Sequence, residues 1–235
     1  MNINEKSGII VYKTLLAVGS RTEAFMDFFI FIFEMMGIAA YGVSGALTAT
    51  KRRMDMFGTI VLGVTTAVGG GVIRDIVLGS TPPRSFVHPI YVAVAAAFSA
   101  LVLIPCVRRL ITNNRVYDVV MFLLDTAGLG LFTVMGVAMA LESAQEYNTF
   151  LVVFVGVITG VGGGVLRDMF SGGIPYIFVK HIYACASIAG AVVCAMIWDG
   201  AGKVYAMLAG VAVIVIIRCL SAHFRWNLPV SEKEE

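Results

Sequence analysis

Apolar residues run along this chain in stretches of roughly twenty, the length that carries a helix across a hydrocarbon core about 30 Å thick. Short polar connections separate them. The pattern predicts spans over Phe25–Thr50, Phe57–Leu78, Pro89–Val107, Tyr117–Leu141, Thr149–Phe170, Phe178–Trp198 and Lys203–Leu220. Composition agrees: 59% of residues are apolar and 14% charged, with a mean hydropathy of +0.89. An ordinary soluble domain is about 25% charged.

A second pattern lies over the first. Gly69-Gly70-Gly71-Val72-Ile73-Arg74-Asp75 recurs as Gly162-Gly163-Gly164-Val165-Leu166-Arg167-Asp168. The same register pairs Gly63 with Gly156, Thr66 with Thr159 and Gly79 with Gly172. Small gaps bring Glu34 onto Asp125, Gly37 onto Gly128, Gly45 onto Gly136, Pro83 onto Pro175 and Tyr91 onto Tyr183. The first three spans therefore repeat as the next three. Three is odd, so the second copy enters the membrane from the opposite side. The expected fold is an all-α membrane protein of seven transmembrane helices: an inverted three-helix repeat (spans 1–3 and 4–6) plus a seventh helix. Its parts are an N-terminal tail over residues 1–24, repeats over 25–108 and 116–199, the seventh helix over 203–221 and a C-terminal tail over 222–235. Inverted repeats place binding sites near the midplane, where the copies meet.

Charge sets orientation. Lys51, Arg52, Arg53, Arg108, Arg109, Arg115, Lys180, Arg218, Arg225 and Lys233 fall on one side, against Lys6, Lys13, Arg21, Arg84 and Lys203 on the other. Lys and Arg collect on the cytoplasmic face, so a multi-pass protein of the plasma (inner) membrane is expected, N-terminus outside and C-terminus inside. The Lys51-Arg52-Arg53 loop could also touch anionic lipid. A net charge of +2, without a basic stripe, gives no reason to expect nucleic acid. No nucleotide loop, nucleophile–base order or metal-ligand spacing is present. Neither an enzyme, a cofactor nor a tight metal site is expected. Cys106, Cys185, Cys194 and Cys219 form no paired motif and read as small apolar residues of the spans.

The candidate chemistry lies in the repeated motif. A glycine in a helix interior costs about 1 kcal/mol relative to alanine. Gly69–Gly71 and Gly162–Gly164 should therefore kink or break their helices. Carbonyls freed around Thr66 and Thr159 would then be hard oxygen ligands for sodium or potassium. The other reading is close helix packing through small faces. Arg74-Asp75 and Arg167-Asp168 place rare charges near the span ends. Neighbours in sequence do not share a helix face, so each arginine is expected to find a partner other than the adjacent aspartate, or to guard a mouth. The aspartates would cap free amides in the first turn after each break. Glu34 and Asp125, inside spans 1 and 4, either attract a cation or pair with an arginine. Ser44 adds a hydroxyl to the same helices.

The doubled Gly-Gly-Gly-x-x-Arg-Asp element, each copy followed by Gly and Pro, resembles the prokaryotic trimeric intracellular cation channel (TRIC) family, also classed as glycine transporters or uncharacterised bacterial membrane proteins. The resemblance covers about residues 25–220. It implies seven helices, a homotrimer, and one ion path per protomer. That path would be lined by spans 1, 2, 4 and 5 and pinched at the glycine triplets. It also implies permeation by potassium and sodium, held weakly. The basic lipid-binding motif of the animal relatives has no match here. The residues alone leave three readings: a cation channel, a carrier of a small zwitterion such as glycine, or a membrane assembly protein.

Overall fold

The structure is a computed structural model, and it describes residues 28–105, 107, 114–143, 148–179 and 182–224. The expected N-terminal tail, residues 25–27 of the first span and most of the C-terminal tail lie outside the described residues. The helices are α1 (Phe28–Lys51), α2 (Met56–Val77), α3 (Arg84–Val87), α4 (Ile90–Leu101), α5 (Asn114–Ser143), α6 (Thr149–Phe170), α7 (Tyr176–Val179), α8 (Ile182–Ala201) and α9 (Lys203–His223). Six of them, α1, α2, α5, α6, α8 and α9, are long and apolar enough to cross a membrane. The chain is a multi-pass, all-helical membrane protein.

The third predicted span needs correction. The helix expected over Pro89–Val107 ends at Leu101, after 12 residues. Val102, Leu103 and Ile104 leave helical pairing in a run of turns. Pro105 follows, and the residue before a proline is driven out of the α region. At 1.5 Å per residue α4 is about 18 Å long, short of the bilayer core.

The second correction concerns the glycine triplets. α2 and α6 run unbroken through Gly69–Gly71 and Gly162–Gly164. What the glycines supply is proximity. A Cβ on Gly70 would collide with the Thr159 carbonyl, and one on Gly163 with the Thr66 carbonyl. Residue 70 thus faces 159 while 66 faces 163, so α2 and α6 cross antiparallel. Contact this close substitutes dispersion and weak Cα–H···O contacts for the apolar side chains that lipid would solvate equally well. Gly45 and Gly136 do the same one helix further out. Their Cβ atoms would stand 2.5 Å from Thr66 Oγ1 and 2.6 Å from Thr159 Oγ1. Those hydroxyls turn back on their own helices, to Leu62 O (2.7 Å) and Val155 O (2.6 Å).

α2 and α6 are built alike from end to end. Asp55 and Asn148 cap their first turns, accepting from Gly58 N and Leu151 N at 2.7 Å. Gly79 and Gly172 end them, both at φ +72°, where a side chain would be strained. In the last turn the adjacent Arg and Asp do pair, contrary to the sequence expectation: Arg74 Nε–Asp75 Oδ1 is 2.8 Å and Arg167 Nε–Asp168 Oδ1 is 2.9 Å. A guanidinium on a long stem can curl back to its neighbour. The aspartates cap amides, as expected, but not those of a broken helix. Asp75 Oδ2 accepts from Arg84 N and Asp168 Oδ2 from Tyr176 N, both at 2.8 Å. Each carboxylate ties the end of one span to the start of α3 or α7.

Two outcomes follow for purified protein unfolded thermally in detergent. Gly70→Ala and Gly163→Ala should lose about 1–3 kcal/mol through overpacking. Gly71→Ala, whose nearest neighbour would be Arg74 Nη2 at 3.6 Å, should be neutral or gain up to about 1 kcal/mol in helix propensity. A hinge at the triplet would instead make all three substitutions alike. Asp75→Ala strands Arg74, which is 2% exposed, and should lose about 3–5 kcal/mol. Arg74→Met with Asp75→Asn should lose much less than the sum of the single changes.

Candidate functional site

The interior holds two charged clusters at opposite ends of α1. Ser44 stands ten residues after Glu34, a rise of about 15 Å. Near the start of α1, Glu34 is 7% exposed and lies close enough to Tyr91 to act on it electrostatically, as do Arg84 and Arg74. Near its other end, Asp125 of α5 is the hub. Asp125 Oδ1 accepts from Arg167 Nη1 at 3.0 Å and from the Tyr183 hydroxyl at 3.4 Å, and Oδ2 lies 3.4 Å from Arg218 Nη2. Arg167 Nη1 also donates to Ser44 Oγ at 2.7 Å. Ser44, Asp125, Arg167 and Arg218 are each at most 5% exposed. Charges this far from water persist only where each meets an opposite charge and further hydrogen bonds.

Two adjoining cavities open beside this second cluster. One of about 580 Å³ is lined by Thr48, Lys51, Arg52, Tyr117, Arg167 and Asp168 among others. The other, about 260 Å³, is lined by Asp118, Met121, Phe122, Asp125, Arg167, Tyr176 and Arg218. They share Met121, Arg167 and Tyr176. Lys51 covers the Tyr117 ring at 3.9 Å. Charged side chains and aromatic and apolar ones share the lining of this space, which lies at the end of the protomer that carries the basic loop.

Between the clusters the interior is filled by aromatic rings laid on glycine. Tyr41 would meet a Cβ on Gly128, and Phe132 one on Gly37; their ring centroids are 5.3 Å apart. The swap is reciprocal, because Gly37 and Gly128 are matched positions of the repeat. The Tyr41 hydroxyl donates to the Gly160 carbonyl at 2.5 Å and lies 3.3 Å from the Tyr183 hydroxyl. Through Tyr183 it is joined to Asp125.

The candidate residues therefore divide. Ser44, Asp125, Arg167 and Asp168 meet in one network, and the last three line cavity. Glu34, Arg74 and Asp75 belong to the other end. Gly69–Gly71, Gly162–Gly164, Thr66 and Thr159 lie at helix contacts instead of presenting freed carbonyls. Asp125 takes the arginine partner, and Arg74 and Arg167 do not meet across the centre. Three residues went unseen as site members. Tyr183 was visible only as the mate of Tyr91. Arg218 read as an orientation charge. Tyr41 carried no signal beyond an apolar stretch. Among the described residues no group of His, Cys, Asp and Glu is placed to hold a metal ion.

Known proteins share this construction. A family model described as glycine transporter matches twice, over residues 31–106 and 122–199. The inner membrane protein YadS of Escherichia coli, a UPF0126 protein, is 37% identical over 204 residues, covering 86% of this chain and 96% of YadS. A UPF0126 membrane protein of Deinococcus radiodurans is 33% identical over 86% of this chain and 92% of its own length. Among solved structures, a TRIC cation channel superposes with TM-score 0.77 at 35% identity, covering 87% of this chain and 98% of that one. The TRIC trimeric intracellular cation channel orthologue from Rhodobacter sphaeroides superposes at 0.74 with 31% identity, over 84% and 98% of the two chains. With the repeated motif, the paired Arg-Asp corners and these likenesses together, the chain belongs to the prokaryotic TRIC family, the UPF0126 membrane proteins.

Proposed function

We propose that this protein is a passive channel for monovalent cations, potassium and sodium, with one path inside each protomer of a homotrimer. The observation that carries it is the likeness to solved TRIC cation channels over nearly the whole chain. The interior supports it: charged and hydroxyl side chains of α1, α5 and α6 reach two cavities inside a bundle of otherwise apolar helices. The path runs between α1, α2, α5 and α6, the four helices that carry Glu34, Ser44, Thr66, Asp125 and Thr159. The two halves, residues 25–108 and 116–199, insert in opposite senses. The antiparallel crossing of α2 and α6 and the double match of one family model support that arrangement. The N-terminus lies outside and the cavity end faces the cytoplasm, where Lys51, Arg52 and Arg53 put it by the rule that basic loops stay inside.

In the conformation described, the path is closed by Tyr41, Phe132 and the glycine contact. Opening separates α2 from α6 at Gly70 and Gly163, or swings the Tyr41 ring off Gly163, where a Cβ would stand 2.8 Å from its Cδ2. Ions then pass hydroxyls and backbone oxygens that partly replace their water. The glycine triplets serve as a seam that seals tightly because nothing projects from it.

A carrier of glycine is the competing reading, from the description of the family model. One assay separates the two. Purified protein in liposomes, offered potassium, sodium and labelled glycine in parallel, should pass both ions without saturable glycine uptake, and planar bilayers should show unitary potassium currents. Saturable glycine uptake with silent bilayers would establish the carrier. Tyr41→Phe, which removes the hydroxyl from Gly160 and Tyr183 but keeps the ring, should raise channel open time by about fivefold to tenfold, the worth of one hydrogen bond of about 1–1.4 kcal/mol.

A further inference from the structure

The two carboxylates that the repeat sets in matched positions keep unequal company. Asp125 faces two guanidinium groups, Arg167 at 3.0 Å and Arg218 at 3.4 Å. Glu34 has Tyr91, and around it Arg84 and Arg74, as neighbours, but among the described residues it makes no ion pair. The difference originates outside the repeat. Arg167 has a counterpart in Arg74, whereas Arg218 stands on α9, which neither half duplicates.

Arg218 is held firmly. It is 3% exposed, and its guanidinium carbon lies 4.8 Å from the Tyr183 ring centre, 5.0 Å from Phe122 and 5.5 Å from Tyr176. Its Nε is 3.4 Å from Thr126 Oγ1. Three aromatic faces and a carboxylate are what a desolvated cation seeks. With Arg218 present, Asp125 and Asp168 balance Arg167 and Arg218. Without it, the same cluster carries one net negative charge beside a cavity of about 260 Å³, room for an ion and several waters at about 30 Å³ each.

We propose that Arg218 is a built-in counter-cation: it takes the place beside Asp125 that a permeant alkali ion would otherwise occupy. That cluster is thereby kept neutral. This rests on the cation-channel reading above.

The test compares wild type, Arg218→Gln, Arg218→Met, Arg218→Lys and the double variant Arg218→Gln/Asp125→Asn. Two measurements are made: reversal potentials in planar bilayers under a potassium chloride gradient, and thermal unfolding in detergent with potassium chloride against choline chloride. Arg218→Gln and Arg218→Met should raise the potassium-to-chloride permeability ratio about threefold or more at low salt, where a single charge is least screened. Arg218→Lys, which restores the charge, and the double variant, which removes its partner, should stay near wild type. Potassium should raise the Tm of the Gln and Met variants alone, since an ion bound only by the native state stabilises it. Arg218→Met keeps apolar contact with the three rings, so it remains informative if Arg218→Gln does not fold. Unchanged permeability together with no potassium-dependent Tm gain in both neutral variants would overturn the proposal, as would Arg218→Lys behaving like them. A wild type that carries no current overturns the channel reading instead. The unfolding measurement still decides the role of Arg218 in that case.

Discussion

The interior depends on a constraint of lipid as a solvent. Apolar side chains gain little by leaving hydrocarbon for one another, so helices cohere through close approach and satisfied polar groups. Here α2 and α6 approach until residues 70 and 163 touch the opposing backbone at Thr159 and Thr66. Around that seam the other elements fall into place. Gly45 and Gly136 let α1 and α5 close on it, and the Tyr41 and Phe132 rings fill the remaining space by lying on Gly128 and Gly37.

Buried charge follows a matching rule at the two ends of the seam. Each Arg-Asp pair closes on itself, and its second carboxylate oxygen fastens the next helix through the amide of Arg84 or Tyr176. A buried guanidinium without such a partner would be strongly destabilising. With it, the corner becomes a rigid strut. The same chemistry recurs at the Asp125 end, where the network reaches the cavities and where α9 adds Arg218. The packing repeats, while Arg218, on a helix outside the repeat, has no counterpart in it.

A seam without side chains also suits a conducting protein. Broad apolar interdigitation would have to be undone to open a path. Glycine faces part with little rearrangement, and the Tyr41 hydroxyl, held at 2.5 Å by Gly160, is a latch of single-bond strength. In the channel reading proposed above, sealing and opening draw on the same small set of contacts.

The sequence by itself determined the membrane class, six of the long helices to within a few residues, and the internal repeat that matches positions such as Gly37 and Gly128. Each depends on local or repeating signals: apolar length and the recurrent Gly-Gly-Gly-x-x-Arg-Asp element. It also flagged Asp125, Arg167 and Ser44 as candidates one by one, without joining them. Only the tertiary structure decided what the glycines do. A helix with three glycines is weak in isolation, but α6 pressed against α2 stays helical throughout, so propensity alone points to a break that packing prevents. Tertiary structure likewise decided that Arg74 turns to its neighbour Asp75, a choice of side-chain torsion that spacing cannot specify. It also brought Arg218 to Asp125 across 93 positions of chain, because that meeting follows from where α9 docks and not from any pattern within it.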